Sequence, residues 1–314
     1  MIAKTFEKFN YTSFGISTLL LFGVSYYYTT LEINWSFVDS KTLNGILIFG
    51  ALLLSNYAID TVTRQLTIER SNRNAYHLLL YPLVVMSYPI ESVDMRFILS
   101  SAAIWASWRN VRIFFELTNN SKKTKRLFDA CILLSFSSII IIENLIIFIY
   151  PLLALVTANI KKDLKHYLII FMTPLIILPS AYALLSFLSL DSYLFSSYFF
   201  ADQPQAIDEY NFNLTYSYVP IVIVFVFFVV SVIIKFQKTA GLQRRILDLV
   251  GVLFILTSLF FSMNQQLSGS EFHYLSLILV YFISQIFVKK LKSSYVNFIF
   301  MSLIASIIIL KFLI

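Results

Sequence analysis

Two arginines three residues apart, Arg109 and Arg112, lie inside an otherwise apolar run, WASWRNVRIFFEL, with Glu116 one turn beyond Arg112. At helical spacing they share one face. A guanidinium in an apolar setting can grip a phosphate or an anionic lipid headgroup through its paired N–H donors. The plainer reading has the two side chains snorkelling to a nearby aqueous boundary, or Arg112 pairing with Glu116. Glu143 and Asn144 form the only strongly polar pair within Phe128–Ile160. If the chain turns there at a surface, the carboxylate needs no role; buried, it requires a partner or a proton. Asp60, with Asn56 one turn before it, ends the second apolar run, where hydrogen bonding between helices accounts for both.

Four acids, Glu32, Asp39, Glu91 and Asp94, fall between apolar runs on the expected outer side. There an acid can act as general base toward a lipid-linked acceptor. The first outer segment, about residues 32–42, is short for that work, and Arg96 is nearly the only outer cation to hold a lipid phosphate. His77, His166 and His273 are scattered singly, and Cys131 is the one cysteine. No metal site or internal disulfide is expected from them. Phosphate-binding glycine loops and nucleophile elbows are absent from the sequence, so no cofactor is expected.

The elements that position these residues follow from composition. With 58% hydrophobic and 13% charged residues and a mean hydropathy of +0.78, the chain holds more apolar sequence than a soluble core needs, as membrane spans require. The net charge of +7 is not gathered into a stripe. It lies in short clusters between apolar runs, the pattern of a topology signal, which argues against nucleic-acid binding.

Apolar runs bounded by polar residues give eleven spans: 13–31, 43–61, 75–90, 95–117, 128–142, 144–160, 166–189, 218–236, 246–264, 273–288 and 294–313. The expected fold is all-α, a polytopic transmembrane bundle forming one integral membrane domain over 1–314. Lys4 and Lys8 precede Phe14–Leu31, which reads as a retained first helix. Counting from an inside N-terminus, the inside loops collect 19 of the 24 Lys and Arg residues, so the orientation is N-in and C-out.

That orientation depends on the run between Lys122–Arg126 and Lys161–Lys165. Its 33 residues, Phe128 to Ile160, run almost without charge and would make a helix of about 50 Å against about 30 Å of hydrocarbon. A single tilted crossing would place the two basic clusters on opposite faces, so a hairpin of two short helices at 128–160, turning at Glu143-Asn144, is expected. Such short arms call for local thinning, or for burial of the turn in protein. The longest outer segment, 191–217, is acidic and aromatic and lacks any Lys or Arg. It reads as an aromatic belt at the headgroups, or as a surface for other membrane proteins.

From Ile59 to Pro174 the chain resembles an uncharacterised family of integral inner-membrane proteins of Bacteroidota-type bacteria, a domain of unknown function. The features that carry this are Asp60 with Leu66-Thr67, Asn72 to Tyr76, Arg109 and Arg112, Phe128-Asp129-Ala130, and the lysine-rich link leading to Pro174. Where such relatives commonly have an aromatic Leu-Phe-Tyr turn, this chain has Ile140-Ile141-Ile142-Glu143-Asn144. The resemblance implies a bacterial inner-membrane setting and no particular activity. The expectation is a non-enzymatic subunit or scaffold in cell-envelope biogenesis, with the lipid bilayer and other membrane proteins as partners. The alternative is a transferase or flippase for polyprenyl-linked sugars.

Overall fold

Two helices without a charged residue, α4 (Tyr76–Met86) and α11 (His273–Ile286), are buried along nearly their whole described length and pack against each other at the centre. A helix that is apolar all round belongs in such a place. This computed structural model describes residues 2–309 apart from 8–9, 37, 67–74, 91, 118, 158–163, 189–218, 239–248, 259–268 and 288–292. Among the described residues the fold is all-α save for two short strands. The remaining helices are α1 (Ile2–Phe6), α2 (Tyr11–Thr30), α3 (Lys41–Leu66), α5 (Met95–Glu116), α6 (Asn120–Ile140), α7 (Ile149–Thr157), α8 (Leu164–Phe187), α9 (Val219–Lys238), α10 (Leu249–Ser258) and α12 (Ser293–Ile308).

Every one of the eleven apolar segments carries helix. Two helical stretches, Lys41–Thr63 and Leu164–Phe187, are long and apolar enough to cross a membrane by length and composition. Helix starts follow local capping chemistry. Asn10 Oδ1 accepts from Ser13 N–H at 2.6 Å, while Ser13 Oγ accepts from Asn10 N–H at 3.2 Å, a reciprocal cap that opens α2. Asn119 caps α6 by accepting from Ser121 N–H at 2.9 Å. The basic cluster Lys122–Arg126 is therefore part of the helix, not a loop before it. The third segment, expected over 75–90, is helical only over Tyr76–Met86. Pro89 disfavours helical geometry at the residue before it, and the chain leaves the helix through Ser87.

The 128–160 run turns near the expected Glu143-Asn144, with unequal arms. Four consecutive β-branched residues, Ile139 to Ile142, disfavour helix, and Ile141 is extended at φ −133, ψ 110. A 3-10 segment, Ile142–Phe148, follows and continues into α7. The arms are thus a 21-residue α-helix and a return of 7 residues of 3-10 helix plus 9 of α-helix. The chain does return: Thr124 Oγ1 near the start of α6 lies 3.3 Å from His166 Nε2 near the start of α8.

Composition gave no sign of the strands. β1 (Glu32–Trp35) follows α2, and β2 (Ser92–Asp94) follows α4. They pair in parallel, Glu32 opposite Ser92 and Ile33 opposite Val93, so α2 and α4 leave the bundle in the same direction. The 3-10 turn Ser270–Phe272 that opens α11 joins this strand end: Ser270 Oγ accepts from Asp94 N–H at 3.1 Å and donates to Ser92 C=O at 3.2 Å. Gly269 makes that junction possible. Its φ is +85°, and a Cβ there would stand 2.3 Å from the Pro89 carbonyl oxygen. Gly269→Ala is expected to destabilise the protein by about 3 kcal/mol or more. Thermal unfolding in detergent measures this, with Gly15→Ala, which meets nothing within 4 Å, as the near-neutral control.

Candidate functional site

Polar side chains gather at three places inside the bundle. At the strand end, the hairpin turn inserts Asn144, which is fully buried, against α5 and α11. Its Nδ2 donates to Ser137 Oγ at 2.8 Å and to the Tyr274 hydroxyl at 2.9 Å, and its Oδ1 lies 3.1 Å from that same hydroxyl. Tyr274 also meets Ser100 Oγ at 2.6 Å, and Ser137 Oγ donates to Ser100 C=O at 3.2 Å. Asn144 Nδ2 further reaches Ser137 C=O at 3.2 Å, closing the last turn of α6. Glu143 is buried beside it, within electrostatic reach of Tyr274. The reading of Glu143 as an ordinary surface turn residue is thereby corrected: protein encloses the Glu143 and Asn144 side chains, while Leu145 and Ile146 beyond them are exposed.

The second place lies toward the opposite, basic end, where α6 begins. His77 Nε2 meets Asp60 Oδ1 at 3.0 Å, both residues buried. One turn earlier on α3, Asn56 Nδ2 donates to Ser17 Oγ at 3.1 Å, and Ser17 Oγ donates to Leu78 C=O at 2.7 Å. These four residues stitch α2, α3 and α4 together. His77 is therefore not a solitary histidine. Its carboxylate partner is seventeen residues away, a separation that no helical spacing rule detects.

The third is an ion pair on the strand side. Asp94 caps α5 by accepting from Arg96 N–H at 2.9 Å, and its carboxylate also takes the Arg96 guanidinium at 2.7 Å. That guanidinium stands 5.2 Å from the centre of the Trp35 ring. Asp94 is buried, whereas Glu32 and Asp39 are exposed. Glu91, loop 191–217 and the basic links 161–163, 239–248 and 288–292 lie outside the described residues, as does the Glu116 side chain.

Arg109 and Arg112 go to different partners. Arg109 reaches α3, with Nε–H donating to Thr61 Oγ1 at 3.2 Å and Nη2 to the Tyr57 hydroxyl at 3.0 Å. Arg112 is buried within electrostatic reach of Tyr150 on α7 and Tyr281 on α11. Among the described residues no group of three or more His, Cys, Asp or Glu side chains could hold a metal ion.

The partners missed from sequence are His77, Tyr274, Ser100 and Ser137, and a further buried acid, Glu271, lies in the 3-10 turn before α11. Only Glu271 had a local signal, an acid just after Gly269-Ser270 and before an apolar run. No family model, curated protein or solved structure matches the chain. The arrangement is one of interlocked hydrogen bonds. Tyr274→Phe removes the hydroxyl that donates to the buried Asn144 Oδ1 and is expected to cost about 2 kcal/mol. Tyr11→Phe, at a side chain 95% exposed, is expected to change stability by less than about 0.5 kcal/mol. Chemical unfolding of both variants in the same detergent checks the contrast.

Proposed function

We propose that this chain is a multi-pass protein of the bacterial inner membrane, crossing eleven times with its N-terminus inside and residue 314 outside. Its role in this reading is that of a non-enzymatic subunit or scaffold in cell-envelope biogenesis. The observation that carries the membrane setting is the placement of side chains. Phe22, Ile46, Phe136, Phe171, Val226 and Phe298 on six different helices are each more than a third exposed, while Asp60, His77, Arg112, Glu143 and Asn144 are buried. Large exposed apolar surfaces are unfavourable in water, and hydrocarbon removes that cost. Helix α8 is the extreme case, with only His166, Ile170 and Thr173 buried.

Support for eleven crossings comes from helix on all eleven apolar segments and from the return of the 128–160 run to the side where it began. The basic residues of the expected inside loops supply the orientation. The inner-membrane setting rests on the resemblance over Ile59–Pro174.

Favouring a scaffold over a transferase is the Asp94–Arg96 pair. A transferase acting outside needs an acid free to take a proton and a cation free to hold the lipid phosphate. Here the buried acid Asp94 and the cation Arg96 neutralise each other. Of the other outer acids within the described residues, Glu32 and Asp39 stand exposed, and Glu143 and Glu271 are buried.

Two measurements test this reading. A reporter fused after Asp208 is expected to signal the outer compartment; an inner signal would mean that 128–160 crosses once. Purification in mild detergent is expected to bring a stoichiometric protein partner. Recovery of a bound polyprenyl phosphate in its place would overturn the scaffold and favour the transferase or flippase.

A further inference from the structure

We propose that Arg109, Tyr57 and Thr61 form a binding site for the phosphate of an anionic glycerophospholipid, on the perimeter of the bundle between α3 and α5. The inference rests on the membrane reading given above. Tyr57 and Thr61 are one turn apart on α3 and present two hydroxyls to the neighbouring helix. Thr61 Oγ1 donates to its own helix at Tyr57 C=O, 2.9 Å away, which leaves a lone pair for the Arg109 Nε–H at 3.2 Å. The Tyr57 hydroxyl oxygen takes the Nη2 donor at 3.0 Å, and the guanidinium carbon lies 4.6 Å from the Tyr57 ring centre. Ring and hydroxyls together fix the orientation of the charged group.

What they do not supply is an opposite charge. Among the described residues no carboxylate oxygen lies within 4.0 Å of Arg109. A guanidinium has five N–H donors, and these contacts use two of them. The Nη1 pair and the second Nη2 hydrogen remain, in the fork geometry that matches phosphate oxygens. Tyr57 still has its own O–H to donate to the same anion. Its side chain is 49% exposed, so the site opens on the perimeter, where lipid stands, and not into the core.

Depth fits a headgroup. Arg109 lies seven residues before the end of α5, about 10 Å by helical rise, within reach of the interface for a long side chain. Asn110 accepts from Arg126 Nη1 at 3.2 Å, which sets Arg109 near the basic start of α6, where Lys122, Lys123 and Lys125 raise the local concentration of anionic lipid. Arg112 is excluded from the site, being turned inward toward Tyr150 and Tyr281.

The test uses the full-length protein in nanodiscs of phosphatidylcholine, with or without phosphatidylglycerol, reading retained lipid by native mass spectrometry and thermal stability in parallel. The wild type is expected to retain phosphatidylglycerol and to melt higher when it is present. Arg109→Gln is expected to retain it about tenfold less, the loss of one charge-assisted pair. Tyr57→Phe keeps the ring under the guanidinium, loses only the hydroxyl, and is expected to give a smaller loss in the same direction. Arg126→Gln, a cation at the same end, is expected to keep the preference. Equal phosphatidylglycerol retention by wild type and Arg109→Gln would overturn the site. So would inorganic phosphate added to pure phosphatidylcholine discs if it stabilised the wild type as much as phosphatidylglycerol, because the ligand would then be a soluble anion. A protein that stays soluble without detergent and enters no disc would instead sink the membrane reading itself.

Discussion

The Tyr274 hydroxyl is the point on which the strand end of the bundle depends. It stands between Ser100 of α5 and both polar atoms of Asn144, and so ties the buried central helix to the turn of the hairpin. A buried amide or hydroxyl without a partner costs about 1–3 kcal/mol, and apolar surroundings offer no substitute. The turn can sit inside the protein because its polar groups are met there. The Ser137 carbonyl in the last turn of α6 accepts from the same Asn144 side chain, so one residue meets a helix end and docks it.

Around this junction the polar groups of the bundle divide into two kinds. Many hydroxyls are closed on their own helix: Ser135, Ser138, Thr173 and Thr257 each donate to the carbonyl four residues back and ask nothing of a neighbour. The others, Ser17, Asn56, Asp60, His77 and Asn144, bond across helices and specify which helices meet. Apolar packing alone discriminates weakly between similar helices. The few cross-helix bonds therefore select neighbours, and the apolar side chains fill the space between them.

Arg109 and Arg112 show how one helical turn separates two fates. The same residue type in the same run goes inward at one position, toward two phenols, and outward at the other, onto a half-exposed tyrosine. Sharing a face by helical spacing leaves a difference of direction wide enough to matter when the neighbouring helices lie on either side. The Asp94–Arg96 pair is the opposite situation: two charges two residues apart, each answering the other, with a helix cap obtained in the same contact.

Much of the architecture was legible in the sequence because hydropathy and turn chemistry are local. The apolar runs, the helices on them and the turn at Ile140 to Asn144 follow from residue type over short windows. Which helices are central was not legible. α4 and the part of α8 after His166 are both strongly apolar, yet one is buried along nearly its whole length and the other exposed along most of it, because in such a chain apolar character suits both places. The strands, the Asp60–His77 pair and the Tyr274–Asn144 junction were invisible for a different reason. Their partners come from segments 17 to 130 residues apart, and only the packing of the helices brings them within bonding distance. By itself the sequence pointed to a turn at Glu143-Asn144. The tertiary structure decided that the Asn144 side chain is enclosed by protein, where Tyr274 of α11 and Ser137 of α6 supply the hydroxyls that meet its amide.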